Sequence, residues 1–152
     1  MNRYIALVGV LLLATIGMTT GCSGTVTKVR EVTFDQLFAN PDQYNGKQII
    51  LEGFYFGGFE VIVLSEKLEY SGYTPGHLIP KGRMAWIEGG IPSEVYDKLY
   101  QQQMMGPTEC YGKVRIEGEF EFGAKYGHLG AYSSQIVPTQ VVLLPWSPPA
   151  QQ

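Results

Sequence analysis

Lys113-Val114-Arg115-Ile116-Glu117-Gly118-Glu119-Phe120-Glu121-Phe122 decides how this chain folds. Val114, Ile116, Gly118, Phe120 and Phe122 alternate with Lys113, Arg115, Glu117, Glu119 and Glu121. Successive side chains of a strand point to opposite faces, so one face here is wholly apolar and the other wholly charged. That is the pattern of a half-buried antiparallel strand. Gly118 interrupts the apolar face. A glycine inside a strand supplies the sharp bend that small barrels require of their longest strands.

Working upstream, residues 47–56 form a second strong strand with Gly53 in its interior. Asn45-Gly46 is a tight-turn signal that leads into it. Gly57-Gly58 reads as a two-residue hairpin turn into a strand over residues 59–65. A loop rich in Tyr, Gly and Pro then spans residues 66–82, and a short strand follows over residues 84–88. Pro92-Ser93 opens a helix expected to reach Met104, with Val95 and Leu99 at four-residue spacing, and Gly106-Pro107 stops it. Downstream, a second loop spans residues 123–135, and a last strand spans residues 136–144, where Pro138 marks an edge. Near the start of the domain, Thr33-Phe34-Asp35-Gln36 has the form of a capping box, Phe34, Leu37 and Phe38 share one helical face, and Asn40-Pro41 ends the turn.

The expected fold is mainly β: a small five-stranded OB-like barrel with one helix between strands 3 and 4, with another small β-barrel or an SH3-like fold as the alternative. Gly46-Lys47-Gln48-Ile49-Ile50-Leu51-Glu52-Gly53 echoes Gly112-Lys113-Val114-Arg115-Ile116-Glu117-Gly118. We read the echo as two barrel strands under one constraint, since it is too short for a duplication. From about Val32 to Leu144 the chain resembles the broad OB-like group that includes tRNA-anticodon-binding-like modules, some of which occur in bacterial envelope proteins.

The first residues carry a different signal. Met1-Asn2-Arg3 is charged, the 15 residues from Tyr4 to Met18 are apolar, and Thr19-Thr20-Gly21-Cys22 follows. A membrane-spanning helix needs about 20 residues, so this is the layout of a cleaved secretory signal. The small residue Gly21 before Cys22 resembles the lipobox of bacterial lipoproteins, in which the cysteine thiol takes a diacylglycerol and becomes the mature N-terminus. The resemblance implies lipidation at Cys22, a location in the bacterial cell envelope and, in a host with two membranes, the outer membrane. It divides the chain into a signal peptide over 1–21, a tether over 22–30, a barrel domain over 31–145 and a loose tail over 146–152, whose prolines cannot continue a central strand. Residues 22–152 suffice for one domain and not for two.

Removing Arg3 with the signal leaves 10 basic against 14 acidic side chains, a net charge of −4. Nucleic-acid phosphates reward a basic surface, so this charge argues against a nucleic-acid partner and against electrostatic adhesion to anionic lipid. The expected partners are the membrane, through the N-terminal lipid, and an envelope protein, peptide or glycan. Cys110 is the one remaining thiol after lipidation and has no partner for an internal disulfide. It reads as a small buried apolar residue.

Two loops hold the candidate binding residues. Tyr126-Gly127-His128-Leu129-Gly130-Ala131-Tyr132 lies between the last two strands, a common binding position in OB-folds. Tyr126 and Tyr132 offer rings for stacking, and His128 a group that donates, accepts or titrates. Tyr70-Ser71-Gly72-Tyr73-Thr74-Pro75-Gly76-His77 is the other aromatic loop, with Tyr73 and His77 as its candidates. Either the two loops meet as an aromatic, histidine-bearing rim, or each packs on itself and covers the barrel end. His77, His128 and a carboxylate such as Glu69 are the sole source of a metal site, but no ligand-spaced motif contains them, and no cofactor is expected. Glu117, Glu119 and Glu121 share one strand face and read as solvated. No nucleophile elbow and no phosphate loop occurs, so the chain is not expected to be an enzyme. The rival readings are a small hydrolase or metal-dependent enzyme built on His128 and nearby acids, and a purely structural envelope lipoprotein.

Overall fold

The computed structural model describes residues 29–103 and 106–150, so the Cys22 lipidation signal lies outside the described residues. The fold is mainly β. Seven strands, β1 (Arg30–Val32), β2 (Lys47–Gly58), β3 (Val61–Tyr70), β4 (Leu78–Ile87), β5 (Tyr100–Gln102), β6 (Glu109–Tyr126) and β7 (Tyr132–Leu143), form one mixed sheet. Two short helices, α1 (Phe34–Ala39) and α2 (Ser93–Tyr96), accompany them. Among the described residues no helix is long and apolar enough to cross a membrane.

The sheet runs β1-β2-β3-β4-β7-β6-β5, and β2 also pairs with β6 along its length, from Lys47↔Phe120 to Gly57↔Cys110. That second pairing returns the sheet on itself. The ring's weakest seam is the parallel β4–β7 contact, only Trp86↔Gln135 and Ile87↔Ile136. Five strands were expected. The two extra ones are short and lie outside the ring, β1 parallel to the start of β2 and β5 on the edge of β6. Arg30, expected in the tether, already belongs to β1.

The alternation in β6 is realised as read. Val114, Ile116 and Phe120 are fully buried, while Lys113, Arg115 and the three glutamates stay partly exposed. The charged face carries a ladder: Arg115 meets Glu31 at 3.0 Å and Glu52 at 3.6 Å, and Glu121 accepts from Gln135 Nε2 at 2.7 Å. Facing Ile49, Leu51, Tyr55, Leu64, Ala85, Ile87 and Ile136, these apolar residues make the main core. Helix α1 drops Phe34 and Leu37 into it. Its capping box forms, with Gln36 N donating to Thr33 Oγ1 at 3.2 Å and Thr33 N to Gln36 Oε1 at 3.0 Å. Gly118 sits at an irregularity where Glu117 faces Gln140 but Gly118 faces Pro138. The bulge brings the Val137 carbonyl so close that a Cβ on Gly118 would lie 2.4 Å from its oxygen.

Several boundaries differ from expectation, each because pairing outweighed a local signal. Gly57 and Gly58 belong to β2, and the hairpin turn is Phe59-Glu60, with Glu60 at φ 60°. Gly57 answers to packing instead, since a Cβ there would strike the Tyr55 ring. The long loops over 66–82 and 123–135 shrink to residues 71–77 and 127–131, because β3, β4, β6 and β7 find ladder partners well beyond their apolar cores. The helix expected from Ser93 to Met104 stops at Tyr96. Val95 and Leu99 are still buried, but the chain then turns to pair Tyr100 with Tyr111 on the open edge of β6. Nor is the chain after β7 a loose tail. Trp146 packs on a second apolar cluster formed by Phe56, Val63, Leu78 and Tyr111 on the outer face of the sheet.

Candidate functional site

The β2–β3 turn and the β6–β7 connection meet at one rim. His128 Nε2 lies 3.4 Å from Glu60 Oε2. Glu60 and Leu129, in these two turns, are the only non-glycine residues at positive φ among the described residues, at 60° and 53°. Such conformations cost on the order of 1 kcal/mol and concentrate at functional sites. Each turn also exposes a large apolar side chain. Phe59 is 70% exposed and Leu129 91%.

Gly127 shapes the base of this rim for two reasons. Its φ is 69°, and a Cβ there would lie 2.6 Å from Trp86 Cε3. The chain can therefore turn directly over the indole. Tyr132 then packs against Trp86 with the rings tilted by 40° and their centroids 5.6 Å apart, and Trp86 Nε1 donates to Glu88 Oε2 at 3.1 Å. Burial pushes the Tyr132 hydroxyl up from its ordinary pKa. Tyr126 stands opposite Tyr132 in the β6–β7 register and is partly exposed. Of the three candidates in this loop, His128 and Tyr126 are available at the surface, whereas Tyr132 closes the outer apolar cluster.

The other aromatic loop is split between surface and interior. Tyr73 is 82% exposed, its N–H donating to Ser71 Oγ. His77 is 6% exposed, and its Nε2 lies 2.8 Å from Glu109 Oε2. Glu109 also accepts from Gln102 Nε2 at 2.8 Å, and Gln102 bonds both the N–H and the carbonyl of Leu78. This half-buried network ties β4, β5 and β6 together. Among the described residues no hydrogen bond or ion pair joins the loops at 71–77 and 127–131. Both instead flank the β2–β3 hairpin: Glu109, the partner of His77, lies against Gly58, and His128 reaches Glu60.

His77 and His128 thus have separate carboxylate partners, and among the described residues no group of three or more His, Cys, Asp or Glu side chains is placed to hold a metal ion. Cys110 is buried, and its Sγ donates to Tyr96 Oη at 3.2 Å. The Cys110 thiol beside it, together with burial, raises the Tyr96 pKa, and burial pushes Tyr55 nearby up to about 12. Arg83 Nη2 lies 2.6 Å from both Glu66 Oε1 and Asp35 Oδ1. Its bonds to Arg83 pull the Glu66 carboxyl down to about 2.

Phe59, Glu60 and Leu129 were not legible as rim residues in the sequence. The misplaced hairpin turn put Phe59 inside a strand, and Leu129 carried no polar signal. Comparison with models of protein families, with curated proteins and with solved structures finds no match to this chain.

Proposed function

We propose that this chain is a lipid-anchored lipoprotein of the bacterial cell envelope whose domain is an OB-like barrel that binds a protein, peptide or glycan partner. The strand order supports the barrel reading: the ring β2-β3-β4-β7-β6, with a parallel β4–β7 seam and a helical turn between β4 and β6, is the order of an OB-fold. In that arrangement the turn after the first ring strand and the loop between the last two border the ligand face.

The observation that carries the binding reading is the junction of those two turns. Glu60 and His128 pair across it, the only two non-glycine positive-φ residues among the described residues lie in it, and Phe59 and Leu129 project from it into solvent. Exposed aromatic and aliphatic anchors on a conformationally fixed support are what a protein interface uses as its centre. The net charge of −4 after loss of the signal favours these partners over nucleic acid.

Recovery of partners from native membranes by the lipidated protein tests this reading. A partner recovered with wild type should be lost by tenfold or more with Phe59→Ser/Leu129→Ser, a change of about 1.4 kcal/mol or more. Cys22→Ser should abolish lipid labelling and leave an unprocessed precursor. Equal recovery by the rim variant refutes the binding surface, and unchanged labelling refutes the anchor.

A further inference from the structure

The chain does not leave the domain at the end of β7. Leu144 N donates to the Lys113 carbonyl at 2.8 Å, and Pro145-Trp146-Ser147-Pro148-Pro149 then crosses the outer face of the sheet. The Trp146 ring meets Phe54 of β2 edge-on with centroids 5.1 Å apart. It meets Tyr100 of β5 at 5.8 Å and Tyr111 of β6 at 6.2 Å, again edge-on. Two tyrosine hydroxyls grip the backbone of this strap. Tyr100 Oη donates to the Trp146 carbonyl at 3.1 Å, and Tyr70 Oη, at the end of β3, donates to the Pro149 carbonyl.

The spacing of these contacts has a physical reading. Proline fixes φ and removes the N–H, so a segment with prolines at 145, 148 and 149 cannot join the sheet as a strand. It favours the extended polyproline II helix, which turns once every three residues. The two gripped carbonyls, 146 and 149, are three apart and so lie along one edge of such a helix. Aromatic rings gathered on one side of a proline-rich segment, here around Trp146, with side-chain donors to its carbonyls, are the elements of the recognition mode that reads Pro-x-x-Pro sequences. Pro145-Trp146-Ser147-Pro148 has that spacing. The strap is also separable from the main core. Trp146 packs only on the outer cluster, and Tyr70 and Tyr100 remain about 40% exposed.

We propose that Phe54, Tyr70, Tyr100 and Tyr111 form a polyproline-recognition groove, filled in the free protein by its own 145–149 segment and open to a Pro-x-x-Pro segment of a partner protein once that strap is displaced. The groove is distinct from the rim at Phe59 and Leu129. A strap on the same chain competes at an effective concentration on the order of millimolar, so the groove answers only to a partner that is locally concentrated or binds elsewhere as well.

The probe is a fluorescent peptide with the sequence of residues 144–150, Leu-Pro-Trp-Ser-Pro-Pro-Ala, titrated into the full chain. Trp146→Ala, which releases the strap, should bind it saturably and at least tenfold more tightly than wild type. Adding Tyr100→Phe, which deletes one hydroxyl grip, should weaken binding severalfold, as should replacing the peptide's prolines with alanine. Phe59→Ser/Leu129→Ser should leave peptide binding unchanged, which separates this groove from the rim. Equal affinity in wild type and Trp146→Ala overturns the proposal, and so does no binding by a folded Trp146→Ala chain. Loss of cooperative melting in Trp146→Ala also overturns it, because the strap would then be part of the core. A wild-type dimer that exchanges its straps would assign the groove to a second copy and overturn the partner reading.

Discussion

Replacing Gly118 with alanine adds a single carbon at the bulge between β6 and β7. That carbon would lie 2.4 Å from the Val137 carbonyl oxygen and 3.0 Å from both Ile136 Cγ2 and Pro138 Cα. Two of these neighbours are backbone atoms that no rotamer change can move. Restoring even 3.0 Å to the carbonyl requires a shift of 0.6 Å in β7, at a bulge already pinned by Thr139 Oγ1 donating to the Glu117 carbonyl. The shift strains the Glu119↔Val137 and Phe120↔Ile136 pairs, and Ile136 also carries the short seam to β4. Overpacking typically costs 1–3 kcal/mol, and weakening a ladder bond about 1 kcal/mol more, so we expect about 3 kcal/mol for Gly118→Ala. For a domain of this size that corresponds to roughly 10 °C in melting temperature. Gly118→Val should cost more. The control is Gly106→Ala, where a Cβ meets nothing within 4 Å and the backbone is not left-handed, and where the change should stay within about 0.5 kcal/mol. Thermal melts followed by circular dichroism measure both. If Gly118→Ala melts with wild type, the two strands are not locked at this bulge and the reasoning fails.

Two further outcomes follow from particular contacts. Tyr132→Ala removes the ring packed against Trp86 and should cost about 2 kcal/mol in a urea titration, whereas His128→Ala, which loses one half-exposed pair, should cost no more than about 0.5 kcal/mol. Equal losses would mean that Tyr132 is not holding the outer cluster. The Glu66 carboxyl is held down to about 2 in the folded chain, below its ordinary 4.5. Its contribution is therefore fully present above pH 4.5 and is lost as pH falls from there through 2. The gap in melting temperature between wild type and Glu66→Gln should narrow over that interval, and a gap independent of pH would show that the Arg83 pair does not act through charge.

The sequence by itself was enough for the β class, for the alternating face of β6, for the capping box at Thr33 and Gln36, and for a break in regular strand geometry at Gly118. Each is a local matter, written into two-residue periodicity, into a side chain reaching three residues along, or into a glycine where a side chain should be. What it could not supply is which edges find partners. The helix after Ser93 yields to β5 because the open edge of β6 offers Tyr111 to Tyr100, and no propensity within residues 93–104 encodes that edge. His77 reads as a loop residue until the fold buries it against Glu109, 32 positions away, and Phe59 and Leu129 become neighbours of the Glu60–His128 contact only when two distant turns meet. Trp146 is the clearest case. Its prolines correctly exclude a strand, but the aromatic face that holds it is assembled from β2, β5 and β6, and such a face exists only after the ring has closed. Local patterning sets which face of a strand is apolar, and long-range pairing decides what that face touches, because contact energy depends on neighbours that chain order does not reveal.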